Sequence, residues 1–229
     1  MVYITSRRVG DLVWVRMNDI ILPNLAQAGA IWEAGDRPKA FSRAGLTRWT
    51  VPIDDTHSLV IGVRHFNEGV NDPLGRHNEA DCGKEKVDFV GQTGDRPYAE
   101  RQRIPGDFDA QVSQRGIAVH ALEHLGTTDR GVSMLRRIIR RSVRAVAAGE
   151  EPDGARGASD TPISTYCQDS VIRKVQRADA NDEIIQRDIG RAVARIVIDE
   201  HHGAGRDRLR RVARKITALS NPAAAAAAE

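Results

Sequence analysis

His120, Glu123 and His124 stand in the run HALEH, two imidazoles four residues apart with a carboxylate between them. On a helix this spacing puts both rings on one face, a known arrangement for holding a metal. The zinc-protease pattern needs Glu directly after the first histidine, and Ala121 stands there, so that chemistry is excluded. Helix-start histidines also hydrogen-bond to nearby backbone or carboxylates, and the sequence leaves both roles open. The surrounding stretch, Arg103 to Arg136, adds Asp107, Asp109 and Asp129. No GxGxxG after a strand, no phosphate-binding loop and no GxSxG elbow occurs, so nucleotide binding and serine hydrolysis have no support.

Composition narrows the setting in which these residues act. The chain has 229 residues, 41% hydrophobic and 28% charged, enough for one domain with a core. No apolar run approaches the roughly 20 residues of a membrane span, and Met1 to Arg8 has no apolar signal core. Cys82 and Cys167 are far apart, in neither CxxC nor CxH spacing, which fits lone thiols in a reducing cytoplasm. The formal net charge is +3. Arginines gather at Arg136, Arg137, Arg140, Arg141 and Arg144, and a second basic cluster runs from Arg206 to Lys215. Each sits opposite an apolar stripe, the pattern of a solvated helix face. A basic module for nucleic acid, built on the helix from Asp207 to Leu219, is the rival reading of the second cluster.

The elements that must position the site residues follow from periodicity. The first 65 residues read largely as strands. Asp11 to Met17 alternates, with Leu12, Trp14 and Arg16 on one face and Val13, Val15 and Met17 on the other. Trp49 to Ile53 and Leu59 to Val63 read as strands joined by an Asp54-Asp55-Thr56 turn. Residues 66 to 116 read as a long loop region, a feature that is often functional. Helices are expected from Val132 to Val146, capped by Thr128 or Asp129 and stopped by Gly149 and Pro152, then from Asp182 to Glu200 and from Asp207 to Leu219. A Gly/Asp-rich linker, Glu150 to Thr161, separates the first of these from the rest. The alanine tail from Pro222 has no face to bury and is expected to fray. Strands first and helices last, without βαβ alternation, give an α+β fold class. Strand-like residues begin at Val2, so the expected chain starts within a domain, with an unpaired sheet edge.

Several stretches, in order, resemble the C-terminal catalytic domain of Rieske non-haem iron oxygenase α-subunits, nearest the phthalate-dioxygenase and vanillate-demethylase-like group. They are Arg7 to Asn24 (RRVGDLVWVRMNDIILPN), Arg48 to Ser58 (RWTVPIDDTHS), Val87 to Arg103 (VDFVGQTGDRPYAERQR), Pro105 to Arg137 and Ile163 to Val171 (ISTYCQDSV). The resemblance implies a helix-grip, START-like domain: a curved antiparallel sheet around long helices, spanning residues 1 to 220. It implies mononuclear Fe(II) held by two histidines and a carboxylate. A Rieske [2Fe–2S] centre supplies the electrons, fed by a reductase or ferredoxin, in a homotrimer or its multiple. The implied reaction is O2-dependent ring hydroxylation or O-demethylation of an aromatic substrate. Matched back from Glu123-His124-Leu125-Gly126, the family carboxylate falls on Asp107, with Asp109 the alternative after a small register shift. A carboxylate suits the role as a hard oxygen donor; aspartate is also common in Gly/Pro turns.

The sequence departs from that pattern in telling places. The iron histidines and the CxH and CxxH pairs of the cluster would lie upstream of the matched strands, and the seven histidines present occupy other motif positions. The expectation is a partial domain, inactive alone, with the Rieske domain absent. Trp49, Phe66, Phe89, Tyr98 and Phe108 are its candidate core or pocket aromatics.

Overall fold

The computed structural model describes residues 1–29, 38–65, 94–154, 163–175, 180–201 and 205–220. Cys82, Phe66, Phe89, the end of the linker and the alanine tail lie outside these described residues, as do positions 66–93 of the expected loop region.

Strand β2 (Leu12–Ile21) organises the fold. Its odd residues Val13, Val15 and Met17 are fully buried in one cluster, while Leu12 and Trp14 join Val171 in a second. Both faces are therefore covered, and the expected alternation holds. β1 (Val2–Val9) pairs with β2 through a tight turn at Gly10, whose φ of 61° suits glycine. β3 (Leu25–Gly29), β4 (Lys39–Pro52) and β5 (Ser58–Arg64) follow antiparallel, and β6 (Gln168–Arg173) completes a six-stranded sheet. β6 pairs with both β2 and β4, and so does β3. Since β3 takes Asp19 to Ile21 of β2 and β6 takes Leu12 to Met17, these two short strands lie end to end between the same neighbours.

The helices are α1 (Tyr98–Arg103), α2 (Asp107–Val112), α3 (Arg130–Ala147), α4 (Asp182–Asp199) and α5 (Gly205–Ser220). α4 and α5 pack against each other and on the sheet, burying Val193, Val197, Val212 and Ile216 against Val13, Val15, Met17 and Ile172. Each such side chain contributes about 1.5–3 kcal/mol when fully buried. Asn181 caps α4 by accepting from the Ile184 amide at 3.0 Å. Glu200 joins the two helices: Arg211 and Lys215 of α5 reach its carboxylate at 2.9 and 2.5 Å.

The arrangement is an antiparallel sheet with helices packed on it, compatible with the expected α+β class. It amends the sequence reading in three places. Part of the expected loop is helical, since α1 and α2 occupy it. β4 is much longer than the segment from Trp49 onward. β6 was not legible, because it opens on the polar residues Gln168, Asp169 and Ser170.

Candidate functional site

HALEH does not lie on one helix. His120 to Leu122 form a single 3-10 turn, and Glu123 is extended with ψ of 139°. The i, i+4 alignment of the imidazoles is therefore lost. Glu123 is instead paired with Arg136 of α3, its carboxylate taking two guanidinium donors at 2.5 and 2.7 Å. That pairing holds the Glu123 carboxyl below its ordinary range. The turn before α3 is organised by Asp129, which accepts from the Gly126 amide at 2.8 Å.

Asp107 and Asp109 both fall in the first turn of α2, with different surroundings. Asp109 is committed to its own segment. It accepts from the Gly106 amide at 2.9 Å and faces Arg101 at 3.4 Å and Arg96 at 3.7 Å. Arg101 also lies over the Phe108 ring, 5.3 Å from its centroid. Asp107 is exposed. Tyr98 is exposed as well, while Phe108 and Trp49 are half-buried.

Two polar groupings were not foreseen. On the sheet face away from α4 and α5, Asp169 is fully buried and accepts from Trp14 Nε1 at 2.8 Å and from Arg16 Nε at 2.8 Å. Arg16 and Arg7 both lie over the Trp14 ring, at 4.9 and 5.2 Å from its centroid. Gly29, at the end of β3, leaves the space that Asp169 fills; a Cβ there would lie 2.0 Å from Oδ2. On the helix face, Gln27 Nε2 donates to Thr47 Oγ1 at 3.1 Å, and His65 Nε2 lies 2.8 Å from the same hydroxyl. By register this row shares a face with Leu25, Trp49, Ile61 and Val63. Asp19, next across the sheet from Gln27, is buried and accepts from the Tyr166 and Cys167 amides at 2.6 and 2.9 Å. Only strand register brings these residues together, so no local motif announces them.

Among the described residues no three His, Cys, Asp or Glu side chains stand close enough to hold a metal ion. The described residues do not fit an iron centre by themselves. Cys167 does not fit a cluster ligand either: burial, then the Asp19 and Asp169 charges, push its thiol far above the ordinary value. Basic side chains of α5 are partly engaged internally, Arg211 and Lys215 by the Glu200 side chain and Arg208 by the Glu200 carbonyl at 2.8 Å. Among the described residues no helix is long and apolar enough to cross a membrane.

No family model matches the chain. The oxygenase subunit of tert-butanol monooxygenase / tert-amyl alcohol desaturase from Aquincola tertiaricarbonis is 43% identical over 195 residues, which is 82% of this chain and 40% of that protein. Phenoxybenzoate dioxygenase subunit alpha from Ectopseudomonas oleovorans is 34% identical over 143 residues, 61% of this chain and 30% of that protein. The chain thus spans less than half the length of either relative, and its homologues are subunits of a monooxygenase and a dioxygenase.

Proposed function

We propose that this chain forms the C-terminal part of a Rieske-type oxygenase catalytic domain of helix-grip shape. The assembled enzyme oxidises a small organic substrate with dioxygen at mononuclear Fe(II). The observation that carries this reading is the 43% identity, over most of the chain, to a monooxygenase oxygenase subunit. Asp107 is the proposed carboxylate ligand. In its favour, matching without gaps back from Glu123-His124-Leu125-Gly126 falls on Asp107, and the alternative, Asp109, is held by Gly106, Arg96 and Arg101. The [2Fe–2S] centre, a reductase or ferredoxin donor and a trimeric assembly belong to the same proposal.

For the substrate, the helix-side face of β3, β4 and β5 is the proposed wall. Its Gln27–Thr47–His65 row offers hydrogen bonds within an apolar surround of Leu25, Trp49 and Ile61. The family resemblance points to an aromatic substrate. The relative at 43% identity is named for tertiary alcohols, which favours a small aliphatic alcohol as a second reading.

A chimaera tests the proposal. This chain replaces the matched 195-residue segment of the tert-butanol monooxygenase oxygenase subunit. Tert-butanol- and phenoxybenzoate-dependent oxygen uptake is then measured with an added reductase. Uptake with either substrate supports an oxygenase domain. A folded chimaera with no uptake on either contradicts it.

A further inference from the structure

Gln27 of β3 and Thr47 of β4 stand directly opposite each other, and Thr47 stands opposite Val63 of β5. The ladder runs one step further, where His65 donates its amide to the Gly45 carbonyl at 2.9 Å. His65 lies two residues beyond Val63, so its side chain returns to the same face and reaches Thr47 along the diagonal. Thr47 is only 7% exposed. Its hydroxyl sits between two nitrogens, Gln27 Nε2 at 3.1 Å and His65 Nε2 at 2.8 Å.

Counting donors fixes the protons of this row. An amide nitrogen only donates, a hydroxyl carries one proton and two lone pairs, and a neutral imidazole has one nitrogen of each kind. The Gln27 amide has two orientations, with oxygen and nitrogen exchanged. Its Oε1 is closed off from solvent and has no partner among the described residues. Turned over, the amide would bring two unmet N–H groups to that closed position in place of one unmet acceptor, which costs more. Gln27 Nε2 therefore donates to Thr47 Oγ1. The Thr47 proton then has one acceptor among the described residues, His65 Nε2. If Nε2 were protonated, two donors would converge on the Thr47 oxygen and its own proton would go unmet. The row thus runs from Gln27 through Thr47 to His65, and neutral His65 carries its proton on Nδ1.

An imidazole held in this tautomer offers a ligand an N–H and no acceptor. The face around it is otherwise apolar, with Leu25, Ile61, Val63 and the Trp49 ring in register. Few directed polar groups in an apolar surround are what orients a small ligand. On the reading of this face as the substrate wall, we propose that His65 is a specificity-determining residue. Its Nδ1–H takes an oxygen acceptor of the substrate, an alcohol, ether or carboxylate oxygen. The hydrocarbon part of the substrate lies against Leu25 and Ile61. Thr47 and Gln27 are positioning residues: they do not touch the substrate, and they keep the His65 proton on Nδ1.

Two measurements test this. The first is nitrogen NMR on the intact chain labelled with 15N-histidine, the His65 signals being assigned by their loss in His65→Asn. Native His65 shows Nδ1 protonated and Nε2 bare. Thr47→Val keeps the shape, removes the hydroxyl and mixes the two tautomers, and Thr47→Ser restores the native one. Protonation of Nε2 in the native chain overturns the proposal, whether or not the variants fold. The second is oxygen uptake by the chimaera with tert-butanol and with phenoxybenzoate, which separates an alcohol oxygen from a carboxylate or ether oxygen. His65→Leu raises KM at least about threefold with kcat little changed, the mark of a lost binding contact. His65→Asn, which keeps an N–H near the Nδ1 position, recovers most of that loss, and Thr47→Val moves KM in the same direction as His65→Leu. Uptake with unchanged KM in His65→Leu overturns the proposal and leaves the oxygenase reading standing. Absence of uptake in the folded chimaera of native sequence contradicts that reading, and this one with it.

Discussion

Arg16 and Asp169 face each other directly across the β2–β6 ladder and meet side on, Nε to Oδ1 at 2.8 Å and Nη2 to Oδ2 at 3.1 Å. Asp169 is fully buried and Arg16 retains 19% side-chain exposure. Burying a carboxylate is costly unless it is paired and hydrogen-bonded. Here the guanidinium and the Trp14 indole meet that requirement together. Asp169→Ala takes this carboxylate from the Arg16 guanidinium and the acceptor from Trp14 Nε1. It should destabilise the chain by about 3–5 kcal/mol, read by denaturant unfolding. Asp169→Asn keeps an acceptor and should cost less.

Gly29 tests the same geometry from the other side. Its Cβ position is taken by the Asp169 carboxylate, so Gly29→Ala should cost about 1–3 kcal/mol through overpacking. Asp169→Ala removes the obstruction. The double variant should therefore lose less than the two single variants added together. Strict additivity in the cycle would show that the two positions do not meet.

Glu200 makes the α4–α5 junction sensitive to acid. Hydrogen bonds from Arg211 and then Lys215 hold its carboxyl at about 2, against an ordinary 4.5. A depressed folded-state pKa contributes stability above the ordinary value, and that contribution is lost as pH falls from 4.5 toward 2. Thermal melts across that window should fall more steeply for the native chain than for Glu200→Gln. Parallel curves would show that the ion pairs contribute nothing in solution.

Asp19 has the opposite sign. Burial holds its carboxyl above the ordinary 3.8, with the Tyr166 and Cys167 amides opposing the shift. A raised folded-state pKa contributes stability at low pH that is lost as pH rises through the shifted value. Asparagine mimics the protonated form and still accepts from the two amides. Asp19→Asn should therefore gain on the native chain between acid and neutral pH. Asp19→Leu should cost about 1–3 kcal/mol by leaving those amides unmet. Equal stability of Asp19→Leu and the native chain would contradict this account.

Burial also separates two helices that look alike in sequence. Ile216 of α5 is fully buried, whereas Val143 of α3 is 62% exposed. Ile216→Ala should cost about 2–5 kcal/mol, and Val143→Ala should stay within about 0.5 kcal/mol. Comparable losses at the two sites would require a covered α3.

The alternation of β2 was legible because its two faces meet different apolar clusters, one under α4 and α5 and one around Trp14 and Val171. The three long helices were legible from their apolar periodicity, with ends within two residues of those observed. Periodicity did not reveal that the α3 stripe is largely exposed among the described residues. β6 was hidden because its buried carboxylate is made tolerable by Arg16 and Trp14, residues more than 150 positions away in sequence. The HALEH spacing left two roles open, and the shared helical face that the metal-holding one needs does not form: the helical turn ends at Leu122, and Glu123 is extended and paired with Arg136. The Gln27–Thr47–His65 row arises from strand register, which spacing along the chain does not encode.

Iron content of the chimaera tests the central claim most directly. Anaerobically reconstituted protein carrying this chain's segment would be compared as the native sequence, Asp107→Ala and Asp109→Ala, with mononuclear iron counted apart from the [2Fe–2S] centre. The account predicts that Asp107→Ala loses the mononuclear iron while keeping the cluster, and that Asp109→Ala retains both at some cost in stability. Mononuclear iron retained in full by Asp107→Ala would contradict it.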